Sequence, residues 1–137
     1  MKPPPTSTFF SALVLTGLVA IAPADTVSSI DWSKAQTVEL RMIEYQFIPD
    51  QLTLRHGQPY RLHVVNAGKE GHDFTAPEFF QSAIVQDTGA FNDNRSSVFL
   101  QPQQMIDIYL IAQNAGLFAP RCADHDWAGM TATIVVE

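Results

Sequence analysis

The sequence predicts an all-β domain, a Greek-key antiparallel β-sandwich, on three observations. Apolar residues recur with a period of two in short runs, Pro, Gly and Asn punctuate those runs, and no long amphipathic helix interrupts them. On periodicity alone a small barrel fits nearly as well.

The elements follow in order. Val38, Leu40 and Met42 share one face, after which Ile43, Tyr45 and Phe47 take over the apolar positions. That change of phase predicts a bulge near Met42-Ile43. Pro49-Asp50 breaks the run, and Leu52 and Leu54 resume it up to the turn signal His56-Gly57-Gln58-Pro59. Tyr60, Leu62 and Val64 alternate before Asn66-Ala67-Gly68, and the stretch Phe79 to Val85 admits a short helical turn. Asp87 to Ser97, with Gly89, Asn92 and Asn94, reads as loop. Val98 and Leu100 precede Gln101-Pro102-Gln103, Ile106, Ile108 and Leu110 form another half-buried strand, and Asn114-Ala115-Gly116 turns the chain. Leu117 to Cys122 is short and apolar, and Thr131 to Val136 is the final strand.

The amino-terminal segment reads differently. Lys2 precedes an apolar run from Phe9 to Ala22, and Ala22-Pro23-Ala24 offers small residues at the −3 and −1 positions before Asp25. Residues 1–24 are expected to be an export signal, directing the chain to the periplasm or otherwise out of the cytoplasm. The run is shorter than the roughly 20 residues a spanning helix needs, so cleavage is favoured over a retained anchor and no stable membrane insertion is expected. A polar lead-in over 25–36 and a single domain over 37–137 complete the organisation.

The composition narrows the function classes. The chain has 137 residues, 46% apolar and 16% charged, with a formal charge of −6. That charge excludes a nucleic-acid backbone as partner, which needs a basic face, and is compatible with a basic protein. Cys122 is the only cysteine, so an intramolecular disulfide, a Cys-x-x-Cys redox pair and a four-thiolate zinc site are all excluded. In an oxidising compartment a free thiol is a liability unless buried or ligated.

Cys122 opens the segment Cys122-Ala123-Asp124-His125-Asp126-Trp127-Ala128-Gly129-Met130. A thiol, an imidazole and a thioether are soft or borderline donors, the preference of copper cycling between two oxidation states; calcium or magnesium would select oxygen. A second imidazole would complete a trigonal plane, and His56, His63 and His72 are available. His63 lies within an alternating strand and His56 beside a turn glycine, where a solvated ring is the ordinary outcome. His72 follows the loop from Asn66 to Gly71, a place from which a sandwich can aim a ligand at one pole.

The pattern Cys-x2-His-x4-Met, with Gly129 before the Met and a β-rich tail after it, resembles the ligand loop of the cupredoxins, the blue copper proteins such as plastocyanin. Glu44-Tyr45-Gln46-Phe47-Ile48-Pro49, Leu52-Thr53-Leu54, Gly57 and Asn66-Ala67-Gly68 ahead of His72 resemble the first half of that family, so the likeness spans the whole domain. The resemblance implies one copper ion, with His72, Cys122 and His125 in its plane and Met130 as a long axial ligand. It also implies a monomeric, non-enzymatic carrier that passes single electrons between redox partner proteins, with His125 as the electron port amid Trp127, Ala128 and Pro120.

Departures from the family accompany the likeness. Asp73 stands where Asn is common, Ala123 where Ser or Thr is common, and Asp124 and Asp126 flank His125. These departures motivate an alternative role in copper binding or delivery during copper homeostasis or resistance. Phe79, Phe80, Phe118 and Trp127 are read as packing residues rather than electron relays.

Overall fold

The computed structural model describes Met1, residues 30–92 and residues 94–137. The expected export signal over 1–24 lies, apart from Met1, outside the described residues. Among those described, no helix is long and apolar enough to cross a membrane. Residues 31–137 form one compact unit.

A 3-10 turn at Trp32–Lys34, capped by the Asp31 carboxylate accepting from Ser33 N, leads into strand β1, Gln36–Ile43. Then come β2 (Gln46–Ile48), β3 (Gln51–Leu54), β4 (Pro59–Asn66) and β5 (His72–Thr75). Helix α1 (Pro77–Ser82) begins on Pro77, a residue suited to a first helical turn. It is followed by β6 (Ile84–Val85), β7 (Ser97–Leu100), β8 (Met105–Ile111), β9 (Gly116–Phe118) and β10 (Thr133–Val136). The β-sandwich and the short helical turn read from the sequence are both present.

One sheet has the order β2-β1-β4-β8-β6, a second β3-β10-β9, and β5 pairs with β7. Two pairings are parallel, β1 with β4 and β3 with β10, so the sheets are mixed rather than wholly antiparallel. The chain leaves the first sheet after β2, runs through β3 in the second, and returns as β4 alongside β1. Pairing after such a crossover runs in the same direction, which alternation within single strands does not reveal.

The bulge expected near Met42-Ile43 is instead a hairpin. Ile43 pairs with Gln46, and the chain reverses through Glu44 and Tyr45. A tight reversal resets the alternation as a bulge would, which is why the two give one sequence pattern.

The period of two becomes a core. Leu40, Leu62, Val64, Ile108 and Leu110 of the first sheet face Leu52, Leu54 and Ile134 of the second, all buried. Phe74 packs edge-on against Phe47 and Phe80, with ring centroids 5.5 and 5.7 Å away. Phe79 and Phe80 are likewise interior, in agreement with the packing role read from the sequence. Trp127 is not: it is 77% exposed, because its turn stands at the molecular surface.

Phe74 packs against the first sheet and helix α1 and has no exposed surface, so Phe74→Ala should cost about 3–5 kcal/mol of stability. Urea unfolding of the protein and the variant measures the difference.

Candidate metal centre

Two segments distant in sequence meet at one pole of the sandwich. β5 lies beside the chain entering Cys122 because Thr75 and Arg121 exchange backbone hydrogen bonds, N to O at 2.9 and 3.0 Å. His72 at the start of β5 thereby faces Cys122.

The loop from Cys122 to Met130 closes on itself. Cys122 N donates to Met130 O at 3.0 Å, His125 N to Cys122 O at 3.2 Å, and Met130 N to His125 O at 3.3 Å. A 3-10 turn over Asp126–Ala128 ends at Gly129, whose φ of 83° is in the left-handed region that glycine tolerates without strain. Gly129 therefore allows Met130 to turn back under Cys122.

The loop before His72 is held as firmly. Asn66, wholly buried, donates through Nδ2 to Glu70 O and Leu100 O at 2.8 and 2.9 Å and accepts from Gly68 N at 3.0 Å. Glu44 accepts from the backbone N–H groups of Glu70, at 2.8 Å, and Lys69. Those donors lower its carboxyl from the ordinary 4.5 to about 2.

His72, Cys122 and His125, three of the four ligands the resemblance implies, lie together with their donor atoms within 4.8 Å of one another. The two Nδ1 atoms are 3.2 Å apart, and Cys122 Sγ lies 3.4 Å from His125 Nδ1 and 3.9 Å from His72 Nδ1. A single point about 2 Å from all three atoms exists, matching metal–nitrogen and metal–sulfur bonds of roughly 2.0–2.3 Å. The donor set and its spacing fit a transition-metal ion. Met130 is wholly buried, and its backbone is bonded to Cys122 and His125.

His56 and His63 stand apart from this group. His56 Nδ1 contacts Glu137 O at 2.8 Å, and His63 Nδ1 contacts Asp107 Oδ1 at 2.7 Å.

Burial pushes the Cys122 thiol above its ordinary range. Without metal it is therefore a protonated thiol, directed at Asp73 Oδ2 at 3.5 Å. Asp73, itself buried, accepts Ala123 N through both oxygens at 3.0 Å and the Thr75 hydroxyl at 2.5 Å. Asp73 thus ties the His72 strand to the Cys122 loop.

Of the residues expected around His125, two reach the surface and one does not. Pro120 is buried, while Trp127 and Ala128 are exposed. The carboxylate against His125 is Glu70, whose Oε2 lies 3.2 Å from Nε2; Asp126 instead pairs with Arg121 at 2.9 Å. Tyr45 covers the ring, with centroids 4.8 Å apart, and donates its phenol to Glu70 Oε1 at 3.3 Å. The negative charge of Glu70 raises the Tyr45 phenol, keeping it a donor. Sequence reasoning missed Glu44 and Glu70 as neighbours of the imidazoles. Only their place beside the Tyr45 turn and within the loop before His72 hinted at it.

No protein-family model and no curated protein matches the chain. Its structure is similar to auracyanin B, with 20% identity and a TM-score of 0.58 over 79% of this chain and 93% of that one. Auracyanin of Roseiflexus castenholzii gives 17% identity and a TM-score of 0.57 over 75% and 98%. Auracyanin A of Chloroflexus aurantiacus, described as a "blue" copper protein, gives 16% and 0.55 over 74% and 98%. The chain has the cupredoxin fold.

Replacing Asp73 with Ala leaves the Ala123 N–H without its acceptor in a part-buried site. The metal-free variant should lose about 1–3 kcal/mol of stability, read by urea denaturation.

Proposed function

We propose that this chain is an exported mononuclear type 1 copper protein that carries single electrons between redox partners. The observation that carries the reading is the convergence of His72 Nδ1, His125 Nδ1 and Cys122 Sγ within 3.9 Å of one another. Two imidazoles and a thiolate with a weak thioether suit copper in both oxidation states. His72, Cys122 and His125 would hold the ion, with Met130 as the axial donor. When bound, copper supplies a one-electron couple.

The protein's part is to keep the donors still. Electron transfer is fast when the two oxidation states need little rearrangement, and three features limit rearrangement here. The Cys122–Met130 loop is cross-bonded through its backbone, Asp73 binds that loop to β5, and Asn66 and Glu44 brace the segment before His72. Tyr45 lies against the His125 ring and Trp127 lies beside Tyr45, their centroids 6.1 Å apart, so that the two offer an aromatic face to a partner. The formal charge of −6 favours a basic partner, with association that weakens as salt rises. Export follows from the amino-terminal segment, and a monomeric carrier without catalytic activity is the role best suited to one such centre.

Copper-loaded protein should show an intense thiolate-to-copper charge-transfer band in the visible spectrum and reversible voltammetry. A colourless loaded protein defeats the reading, whereas slow self-exchange with copper passed to an acceptor protein would reassign it to copper delivery. Cys122→Ser should abolish the band. Met130→Leu should keep the band and raise the reduction potential, which voltammetry measures.

A further inference from the structure

Each imidazole that turns Nδ1 toward Cys122 meets a carboxylate on its opposite edge. His72 Nε2, wholly buried, lies 3.4 Å from Glu44 Oε1, and His125 Nε2 lies 3.2 Å from Glu70 Oε2. These are ion-pair distances, and His72 Nε2 has no aligned hydrogen-bond partner. Glu44 Oε1 is nonetheless within ion-pair distance of that buried nitrogen.

The two carboxylates are interlocked. Glu44 binds the backbone N–H of Glu70 and so places the residue that reaches His125. Glu70 in turn accepts the phenol of Tyr45, the sequence neighbour of Glu44, while the Tyr45 ring lies against His125. The β1–β2 turn, the loop before β5 and the Cys122–Met130 loop are thus fastened together at the imidazole edges. A clasp serving the backbone alone would need only the Lys69, Glu70 and Tyr45 contacts. Placing an anion at both outer nitrogens has a chemical effect as well.

We infer that Glu44 and Glu70 are positioning residues of the metal centre, holding both imidazoles with Nδ1 toward Cys122 and favouring the more highly charged ion. This rests on the copper reading above. A carboxylate at Nε2 keeps the proton there, leaves the Nδ1 lone pair free to donate, and makes the ring a stronger base. The same negative charge attracts a divalent ion more than a monovalent one, and attraction at these distances does not require hydrogen-bond alignment. Glu70 is 50% exposed and Glu44 28%, so solvent moderates the effect without removing it.

The test compares the full chain with Glu44→Gln and Glu70→Gln, which keep size and an acceptor oxygen and delete the charge. Cu(II) and Cu(I) affinities are measured by competition with chelators, the potential by voltammetry, and the unfolding of the metal-free proteins by heating. Each variant should bind Cu(II) about tenfold more weakly, with Cu(I) binding little changed. A tenfold loss confined to Cu(II) raises a one-electron potential by about 59 mV. Metal-free Glu70→Gln should unfold with the parent, showing that the shift is not a loss of fold. Unchanged affinities, or equal losses for both ions with a fixed potential, overturn the inference. Should Glu44→Gln fail to fold, Glu70→Gln decides alone. A parent without the charge-transfer band removes the copper reading and this inference with it; a parent with the band and indistinguishable variants removes only this inference.

Discussion

The bond on which the rest depends is the one from the Asp73 carboxylate to the backbone of Ala123. It joins β5, which carries His72, to the loop that carries Cys122 and His125, across fifty positions of sequence. The Asp73 carboxylate is buried and the bond lies in a part-buried site, which makes the link costly to break. Without it the Thr75–Arg121 bridge would still hold the strands side by side, but the mutual spacing of the two donor segments would rest on packing alone. The aspartate does this with two accepting oxygens, where an asparagine would offer one.

The candidate site was legible in the sequence to the extent that its parts were local. Cys122, His125 and Met130 lie within one short loop, and their spacing reports its geometry directly. His72 was found because it ends a loop and begins a strand, whereas His56 and His63 had ordinary surface explanations that their contacts with Glu137 and Asp107 bear out. Glu44 and Glu70 were invisible for the opposite reason. Their relation to the imidazoles arises from contacts 28 and 55 positions apart, and no periodicity encodes such pairs.

The fold shows the same division. Alternation identified the buried face of several strands, down to Leu40, Leu62 and Ile108. It could not tell a bulge from the hairpin at Glu44-Tyr45, because both shift the apolar phase by one position. Nor could it give strand direction, since a parallel neighbour and an antiparallel one bury the same alternate residues. The hairpin matters to function, because the reversal carries Glu44 and Tyr45 to the pole where the donors meet.

Cys122 has no exposed surface, and burial holds its sulfur in the protonated form. Disulfide exchange and oxidation both begin from an accessible thiolate. A folded chain not yet loaded with the proposed ion is thereby protected from cross-linking to its neighbours and from oxidation at sulfur, so the folded site can wait for its metal.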